Sequence, residues 1–181
     1  MLILGLCGSL RRGSFNGRLL RAAASSVPVG SRLETFPDLA AVPPYNEDAS
    51  PPVAVGRLRE AMATADAVLI ATPEYNASIP GQLKNALDWA SRPFPGNALR
   101  GRPVAVVGAS TGLFGAVWAQ AELRKVLTTI GARVLDAELP VGLAHEAFND
   151  DGTLVDADLR DRLAGVVEQL LRSVPRLVPS Q

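Results

Sequence analysis

Three short stretches of the chain are almost entirely apolar, and this feature limits the possible folds more than any other. They are Leu2–Cys7, Ala67–Thr72 and Pro103–Ala109. Strands that are covered on both faces have continuous apolar sequences, whereas strands with one face in water alternate apolar and polar residues. The three stretches therefore predict the central strands of a parallel sheet that is covered by helices on both sides.

Two weaker strand candidates and five helix candidates alternate with these stretches. The strand candidates are residues 32–36 and 133–139. The helix candidates, which have apolar residues at helical spacing, are residues 16–26, 53–65, 82–90, 114–130 and 156–174. Strands that alternate with helices in this way predict βαβ units. We therefore expect a three-layer α/β/α sandwich around a five-stranded parallel sheet.

The chain is expected to form one domain over residues 1–181. Its length of 181 residues is close to the usual size of a single domain. The Pro-rich residues 37–52 are predicted to form a loop of this domain, because no second core that could fold alone follows them. Residues 175–181 lie beyond the last helix candidate and are expected to be a loosely held tail.

The composition excludes several functional classes. The chain has 18 Lys and Arg residues against 18 Asp and Glu residues, so it lacks the basic excess of a nucleic-acid-binding protein. One cysteine, Cys7, rules out an intrachain disulfide, and one histidine, His145, rules out a His-rich metal site. No apolar run approaches the ~20 residues of a membrane span, and the first residues lack the basic region of a signal peptide. We expect a cytoplasmic protein that binds neither nucleic acid nor membrane nor metal.

Three loops are expected to meet, because ligands bind open parallel sheets outside the carboxyl ends of the strands. The first loop, residues 8–16, joins the first strand to the first helix. Ser9, Ser14 and Asn16 offer side-chain donors there, and Arg11 and Arg12 offer guanidinium groups. Together with the positive end of a helix, these groups predict a phosphate-binding loop. The alternative is a plain turn in which Ser14 or Asn16 only caps the helix.

The second and third loops offer groups suited to a flat ligand. In the second loop, residues 72–81, the ring of Tyr75 can lie against a planar molecule, and Asn76 and the backbone around Glu74 can bind the edge of a heterocycle. A Pro-bounded turn with a surface tyrosine is the alternative. In the third loop, residues 108–115, glycines allow a ligand to approach the backbone, and Ser110 can bind a ring carbonyl.

Two other chemistries fit parts of these loops only weakly. Low-molecular-weight tyrosine phosphatases need an arginine six residues after their cysteine, but here Gly13 stands at that distance from Cys7. The third loop satisfies the Gly-x-Ser-x-Gly pattern of serine hydrolases at Ser110, and Asp136 and His145 follow downstream in the order of an acid and a histidine. That pattern is weak alone, and the chain is short for such a hydrolase.

The motifs of the three loops resemble those of the NADPH-dependent FMN reductases of the flavodoxin-like superfamily, a group that includes bacterial quinone and chromate reductases. The matching residues are Gly8-Ser9-Leu10-Arg11, Ser14-Phe15-Asn16, Pro73-Glu74-Tyr75-Asn76, Leu83-Lys84-Asn85-Ala86-Leu87-Asp88-Trp89 and Gly108-Ala109-Ser110 with Gly112. The motifs occur in the right order over residues 2–127. The resemblance implies a flavodoxin-like sheet with strand order 2-1-3-4-5.

The resemblance also implies an FMN site. The first loop looks like the part that binds the FMN phosphate, the second loop looks like the part along the isoalloxazine ring, and Ser110 looks like a contact to the polar edge of the ring. The implied cofactor-binding residues are Ser9, Leu10, Arg11, Arg12, Gly13, Ser14, Phe15, Asn16, Pro73, Glu74, Tyr75, Asn76, Ser110, Thr111 and Gly112. The chain departs from the family at Ala116 and Trp118, where the family often has Gly and Arg.

The activity implied by the resemblance is a ping-pong oxidoreductase reaction. NADPH or NADH reduces FMN, which then passes two electrons to a quinone, free flavin, an azo compound or an oxidised metal ion such as chromate. Since the cofactor carries the chemistry, no residue is predicted to be catalytic. Glu74 is expected to be a loop carboxylate in water, and His145 a surface or subunit-contact residue. A flavodoxin-type electron carrier, against which the zero net charge argues, and a flavin-binding regulatory protein are the alternatives.

The helix candidate at residues 82–90 also bears on assembly. Its apolar residues Leu83, Ala86, Leu87 and Trp89 are spread around much of the helix. We expect a second subunit to bury part of this helix, and therefore a homodimer or a dimer of dimers. Burial of the same residues in the monomer's own core is the alternative.

Overall fold

The computed structural model describes residues 1–175 and contains a parallel sheet of six strand segments. These are β1 (Leu2–Cys7), β2 (Arg32–Thr35), β3 (Ala67–Thr72), β4 (Pro103–Ala109), β5 (Arg133–Val134) and β6 (Pro140–Val141). The order is β2-β1-β3-β4-β5, with β6 also paired to β4. The predicted strand order is confirmed. The predicted loose tail lies, apart from Pro175, outside the described residues.

Five α-helices cover the two faces of the sheet. They are α1 (Phe15–Ser25), α2 (Val53–Thr64), α3 (Gly81–Ala90), α4 (Val117–Ile130) and α5 (Ala157–Arg172). Helices α1 and α5 contribute to the core on one face, and α2, α3 and α4 contribute to the core on the other. The predicted three-layer sandwich is confirmed. None of the helices among the described residues is both long and apolar enough to cross a membrane.

The fifth strand is the element that the sequence pattern predicts least well. Residues 133–139 do not form one continuous strand: β5 pairs with the start of β4, and β6 pairs with its end. Between them the chain leaves the sheet, and the carbonyl groups of Leu135 and Ala137 accept hydrogen bonds from the guanidinium of Arg124 in α4. The sequence predicts one strand over residues 133–139. Arg124 instead satisfies carbonyl groups that would otherwise pair within the sheet.

The apolar side of α3 is buried within the single chain. Leu83, Ala86, Leu87 and Trp89 are at most 2% exposed. These residues are therefore buried without a second subunit. Inferring a second subunit from their distribution around the helix was wrong. The 3₁₀ turn at Leu39–Ala41 and the Pro-rich loop pack against this helix, which covers the side of α3 that the sequence alone leaves without a partner.

Candidate functional site

The three loops meet at the carboxyl edge of β1, β3 and β4 around a small open cavity of about 100 Å³. Many of the predicted cofactor-binding residues line it together: Ser9, Arg11, Ser14, Phe15, Asn16, Pro73, Glu74, Tyr75, Ser110 and Thr111. Other predicted residues lie in the same loops but outside this lining: Leu10, Arg12, Gly13, Asn76 and Gly112. The sheet topology thus brings together groups that are separated by about a hundred positions in the sequence.

The first loop has the properties of an anion site. Ser14 is buried and caps α1 by accepting the N–H of Gly17 at 3.3 Å, and its hydroxyl also lies 3.8 Å from the Cys7 thiol. Among residues 1–175, Arg11 and Arg12 form no ion pair, and the backbone N–H of Gly13 has no protein acceptor. Unpaired guanidinium groups and free N–H groups at a helix N-terminus attract a phosphate.

Asn16 ties the first loop to the third. Its side-chain amide donates to the carbonyl of Ala109 at 2.9 Å, and its Oδ1 accepts the N–H of Ala109 at 2.9 Å. The side chain is 2% exposed. Since both ends of the amide bind the last residue of β4, Asn16 holds the two loops in a fixed relation. A direct contact between Asn16 and a cofactor stays a prediction.

The second loop contains a tight two-residue turn. Tyr75 and Ser78 exchange backbone hydrogen bonds of 3.0 and 3.1 Å, and Asn76 and Ala77 between them have φ angles of 53° and 60°. This is the pattern of a type I′ turn, which needs positive φ at both central residues. The turn brings Tyr75, which is 47% exposed, into the lining of the cavity.

Glu74 does not stand free in water as expected. Its Oε2 accepts the backbone N–H groups of Trp118 and Ala119, each at 3.1 Å, at the start of α4. Ala116, the residue directly before α4, has a left-handed backbone conformation, and its side chain does not cap the helix. A carboxylate at a helix N-terminus is favourable because the helix dipole is positive there. Sequence reasoning missed this contact; the only available signal was that no Ser, Thr, Asp or Asn precedes α4 as a cap.

The third loop is hydrogen-bonded to β6 and to the residues that follow β6. Ser110 donates its backbone N–H to Val141 at 3.0 Å and accepts the N–H of Ala144 at 3.0 Å. Its hydroxyl accepts the N–H of Gly112 at 3.2 Å. The loop is therefore held on its inner side, and α4 begins only at Val117 instead of at the predicted residue 114.

The geometry supports neither a tyrosine phosphatase site nor a serine hydrolase site. The Cys7 thiol donates to the carbonyl of Ser9 at 3.3 Å, and Gly13 still stands where a phosphatase needs its arginine. Within residues 1–175, no side-chain hydrogen bond joins Ser110 to His145. His145 lies at the surface and contacts Glu146 at 3.2 Å. A serine hydrolase triad is therefore not assembled.

The chain is similar to known proteins over most of its length. A sequence profile of the family described as NADPH-dependent FMN reductase matches residues 1–146. An NAD(P)H-dependent FMN reductase of Pseudomonas aeruginosa is 43% identical over 97% of this chain and 96% of the relative. A quinone reductase of Escherichia coli is 36% identical over 90% and 89%. Among solved structures, FerB from Paracoccus denitrificans, a flavoenzyme NAD(P)H:(acceptor) oxidoreductase, has a TM-score of 0.87 at 35% identity and covers 96% of each chain.

Proposed function

Because the chain belongs to the NADPH-dependent FMN reductase family, we propose that it binds FMN between its three loops and uses NADPH or NADH to reduce a small acceptor. The observation that carries this proposal is the convergence of the loops on one cavity. Arg11, which forms no ion pair within residues 1–175, and Tyr75 both line it. FMN has a phosphate at one end and a flat heterocycle at the other, so both groups find a suitable partner.

The first loop fits the phosphate of FMN. Arg11 can bind a phosphate with two parallel N–H groups, and the hydroxyls of Ser9 and Ser14 lie in the same cavity lining. A Cβ added at Gly13 would meet no atom within 4 Å, so the loop has room on that side. The phosphate would also lie at the N-terminus of α1, where the helix dipole favours negative charge.

The second and third loops fit the ring. Tyr75 offers an aromatic face, and within residues 1–175 the backbone N–H of Thr111 has no protein acceptor and is free to bind a ring carbonyl. Glu74 holds the second loop against α4, and Asn16 holds the third loop against α1. Bound FMN supplies hydride transfer in two successive half-reactions, from the nicotinamide and then to the acceptor. The role of the chain is to bind, orient and enclose the reacting groups.

Quinones and free flavin are the acceptors we favour. The names of the relatives, an FMN reductase and a quinone reductase, support this choice. Azo compounds and chromate are further acceptors that a reduced flavin can reach by its chemistry. A flavin-binding electron carrier or regulatory protein is the alternative function, and it differs in that NADPH would not reduce the bound flavin.

We also propose a homodimer, or a dimer of dimers, formed through the outer face of α3 and α4. A groove of about 500 Å³ lies between these helices and is lined by the apolar Phe94, Val126 and Ile130. Lys84, Asp88, Glu122 and Lys125 surround it with charges of both signs. A surface of this kind suits a two-fold contact, in which each patch meets a copy of itself.

The function is tested by the absorption spectrum of the protein after FMN is added and unbound FMN is removed by gel filtration. We expect the flavin bands to be retained and to bleach under anaerobic conditions when NADPH is added. Retained bands that neither NADPH nor NADH bleaches would favour the carrier or regulatory protein. Loss of all flavin at micromolar protein would contradict the three-loop site.

A matched pair of variants tests which residue binds the phosphate. Arg11→Ala removes a charge-assisted contact worth about 1.5–3 kcal/mol, so the affinity for FMN is expected to fall roughly 10- to 100-fold. Arg21→Ala removes an exposed arginine of α1 outside the cavity lining, and it is expected to leave the FMN affinity unchanged. Equal FMN affinities of the two variants, measured by flavin fluorescence quenching, would show that Arg11 does not bind the phosphate.

A further inference from the structure

Three large apolar side chains stand exposed beside the cavity, and we call them the apolar platform. They are Leu113, Phe114 and Trp118, which are 73%, 63% and 51% exposed. The rings of Phe114 and Trp118 meet edge to face, with centroids 5.2 Å apart and an angle of 69° between their planes. Exposed apolar groups that cluster in this way mark binding surfaces, whereas single exposed residues need no explanation.

The backbone under the platform is held in place. Gly115 has a φ of 59°, and a Cβ built there would lie 2.5 Å from the backbone nitrogen of Val141. A Cβ at Gly142 would lie 2.2 Å from the carbonyl oxygen of Leu113. These two short distances show that there is no room for a Cβ atom, so the loop lies directly against β6 and the residue after it. The exposure of the platform is therefore a property of a supported loop, which reduces the entropy lost when a ligand binds.

The platform adjoins the candidate FMN cavity. The backbone N–H groups of Trp118 and Ala119 donate to Glu74, and Glu74 itself lines the cavity. The start of α4 is therefore in contact with a residue of the cavity lining. Thr111, which also lines the cavity, stands two residues before Leu113, so the platform and the cavity are joined through both Glu74 and the third loop.

The charge of this region limits the kind of ligand. Residues 109–121 contain no charged side chain, and the next residue, Glu122, is acidic. This segment therefore supplies no cation of its own that could hold an oxyanion or a carboxylate. Aromatic side chains bind flat uncharged rings by edge and face contacts.

Building on the proposed function, we propose that the apolar platform binds the outer ring of a neutral fused-ring quinone and makes such quinones better substrates than small quinones or oxyanions. Phe114 and Trp118 are then specificity-determining residues. They contact the part of the acceptor that lies away from the reacting carbonyls.

The first test compares 1,4-naphthoquinone with 1,4-benzoquinone, which lacks the second ring. For Trp118→Ala we expect the ratio of the two kcat/KM values to fall roughly three- to tenfold. Trp118→Phe keeps an aromatic ring and is expected to retain most of the ratio. Val155→Ala, which shortens an exposed apolar side chain before α5, is expected to retain all of it. An unchanged ratio in Trp118→Ala would overturn the inference, whereas failure of the wild-type protein to reduce either quinone would overturn the proposed function.

The second test does not depend on turnover. Trp118 is half-exposed and Trp89 is only 2% exposed, so a quinone at the platform quenches mainly Trp118 fluorescence. Titration of the FMN-loaded protein with 1,4-naphthoquinone, without NADPH, is expected to give saturable quenching that Phe114→Ala weakens severalfold. Quenching that is the same in Phe114→Ala would overturn the inference. A change of molar mass in Trp118→Ala, measured by light scattering, would instead assign the platform to a contact between copies and would also overturn it.

Discussion

Ala77 occupies a backbone conformation that an L-residue with a Cβ adopts only at a cost. Its φ is 60°, it follows Asn76 at 53°, and its side chain is exposed. A left-handed conformation costs a non-glycine residue about 1–2 kcal/mol, and glycine avoids this cost. The greater freedom of glycine in the unfolded chain offsets part of the gain. We therefore expect Ala77→Gly to stabilise the protein by about 0.5–1 kcal/mol, measured by urea denaturation.

A glycine in a right-handed helix serves as the matched control for this residue. Ala121 is exposed within α4, and Ala121→Gly is expected to destabilise the protein by about 1 kcal/mol. The two variants make the same chemical change in opposite backbone regions, so their effects should differ in sign. Destabilisation of similar size in both would show that the second loop does not hold this turn in solution.

At the level of elements, one face of α3 fastens the Pro-rich loop to the core. Asn85 accepts the backbone N–H of Tyr45 at 2.7 Å and donates to the carbonyl of Pro43 at 2.8 Å, while the indole of Trp89 donates to Pro43 at 2.9 Å. Asn85→Ala leaves the N–H of Tyr45 without this partner, which costs about 1–3 kcal/mol. We expect a loss of that size in the free energy of unfolding of the FMN-free protein.

The control is an exposed ion pair on α5, away from the proposed contact between copies. Arg172 forms an ion pair with Glu168 at 2.5 Å, and both side chains are well exposed, so the pair contributes about 0.3–0.5 kcal/mol. Arg172→Ala is therefore expected to change stability by less than Asn85→Ala does. If the two variants unfold at the same urea concentration, the hydrogen bonds of Asn85 to the loop do not stabilise the fold.

Elements whose own sequence determines their structure were predicted correctly, whereas elements that depend on contacts with distant residues were not. The buried strands β1, β3 and β4 have short continuous apolar sequences that are typical of strands covered on both faces, and the structure gives them the predicted bounds. The interrupted fifth strand depends on Arg124, whose contacts to Leu135 and Ala137 bridge separate elements. A pattern of apolar residues along one segment carries no information about such a partner.

At the scale of the whole molecule, the parallel sheet is what makes the site predictable. Once β1, β3 and β4 are neighbours, the loops that follow them must converge, and the topological rule for open sheets then gives the cavity. The fastening contacts within the site were not predictable in this way. Asn16 binds Ala109 and Glu74 binds the start of α4 across 93 and 44 positions, and only the folded chain shows them.

The proposed association through α3 and α4 is the property of the whole molecule that a single substitution tests best. Phe94 is 70% exposed and lines the groove between these helices. A carboxylate at this position would be desolvated in the contact between copies, so Phe94→Glu is expected to halve the mass of the assembly in light scattering at micromolar concentration. Val155→Glu changes another exposed apolar residue, which follows Leu154 of the core on the opposite side of the sheet, and is expected to leave the mass of the wild-type assembly unchanged. A wild-type protein that is already monomeric, or a Phe94→Glu protein that keeps the mass of the wild-type assembly, would show that this groove is not the contact surface.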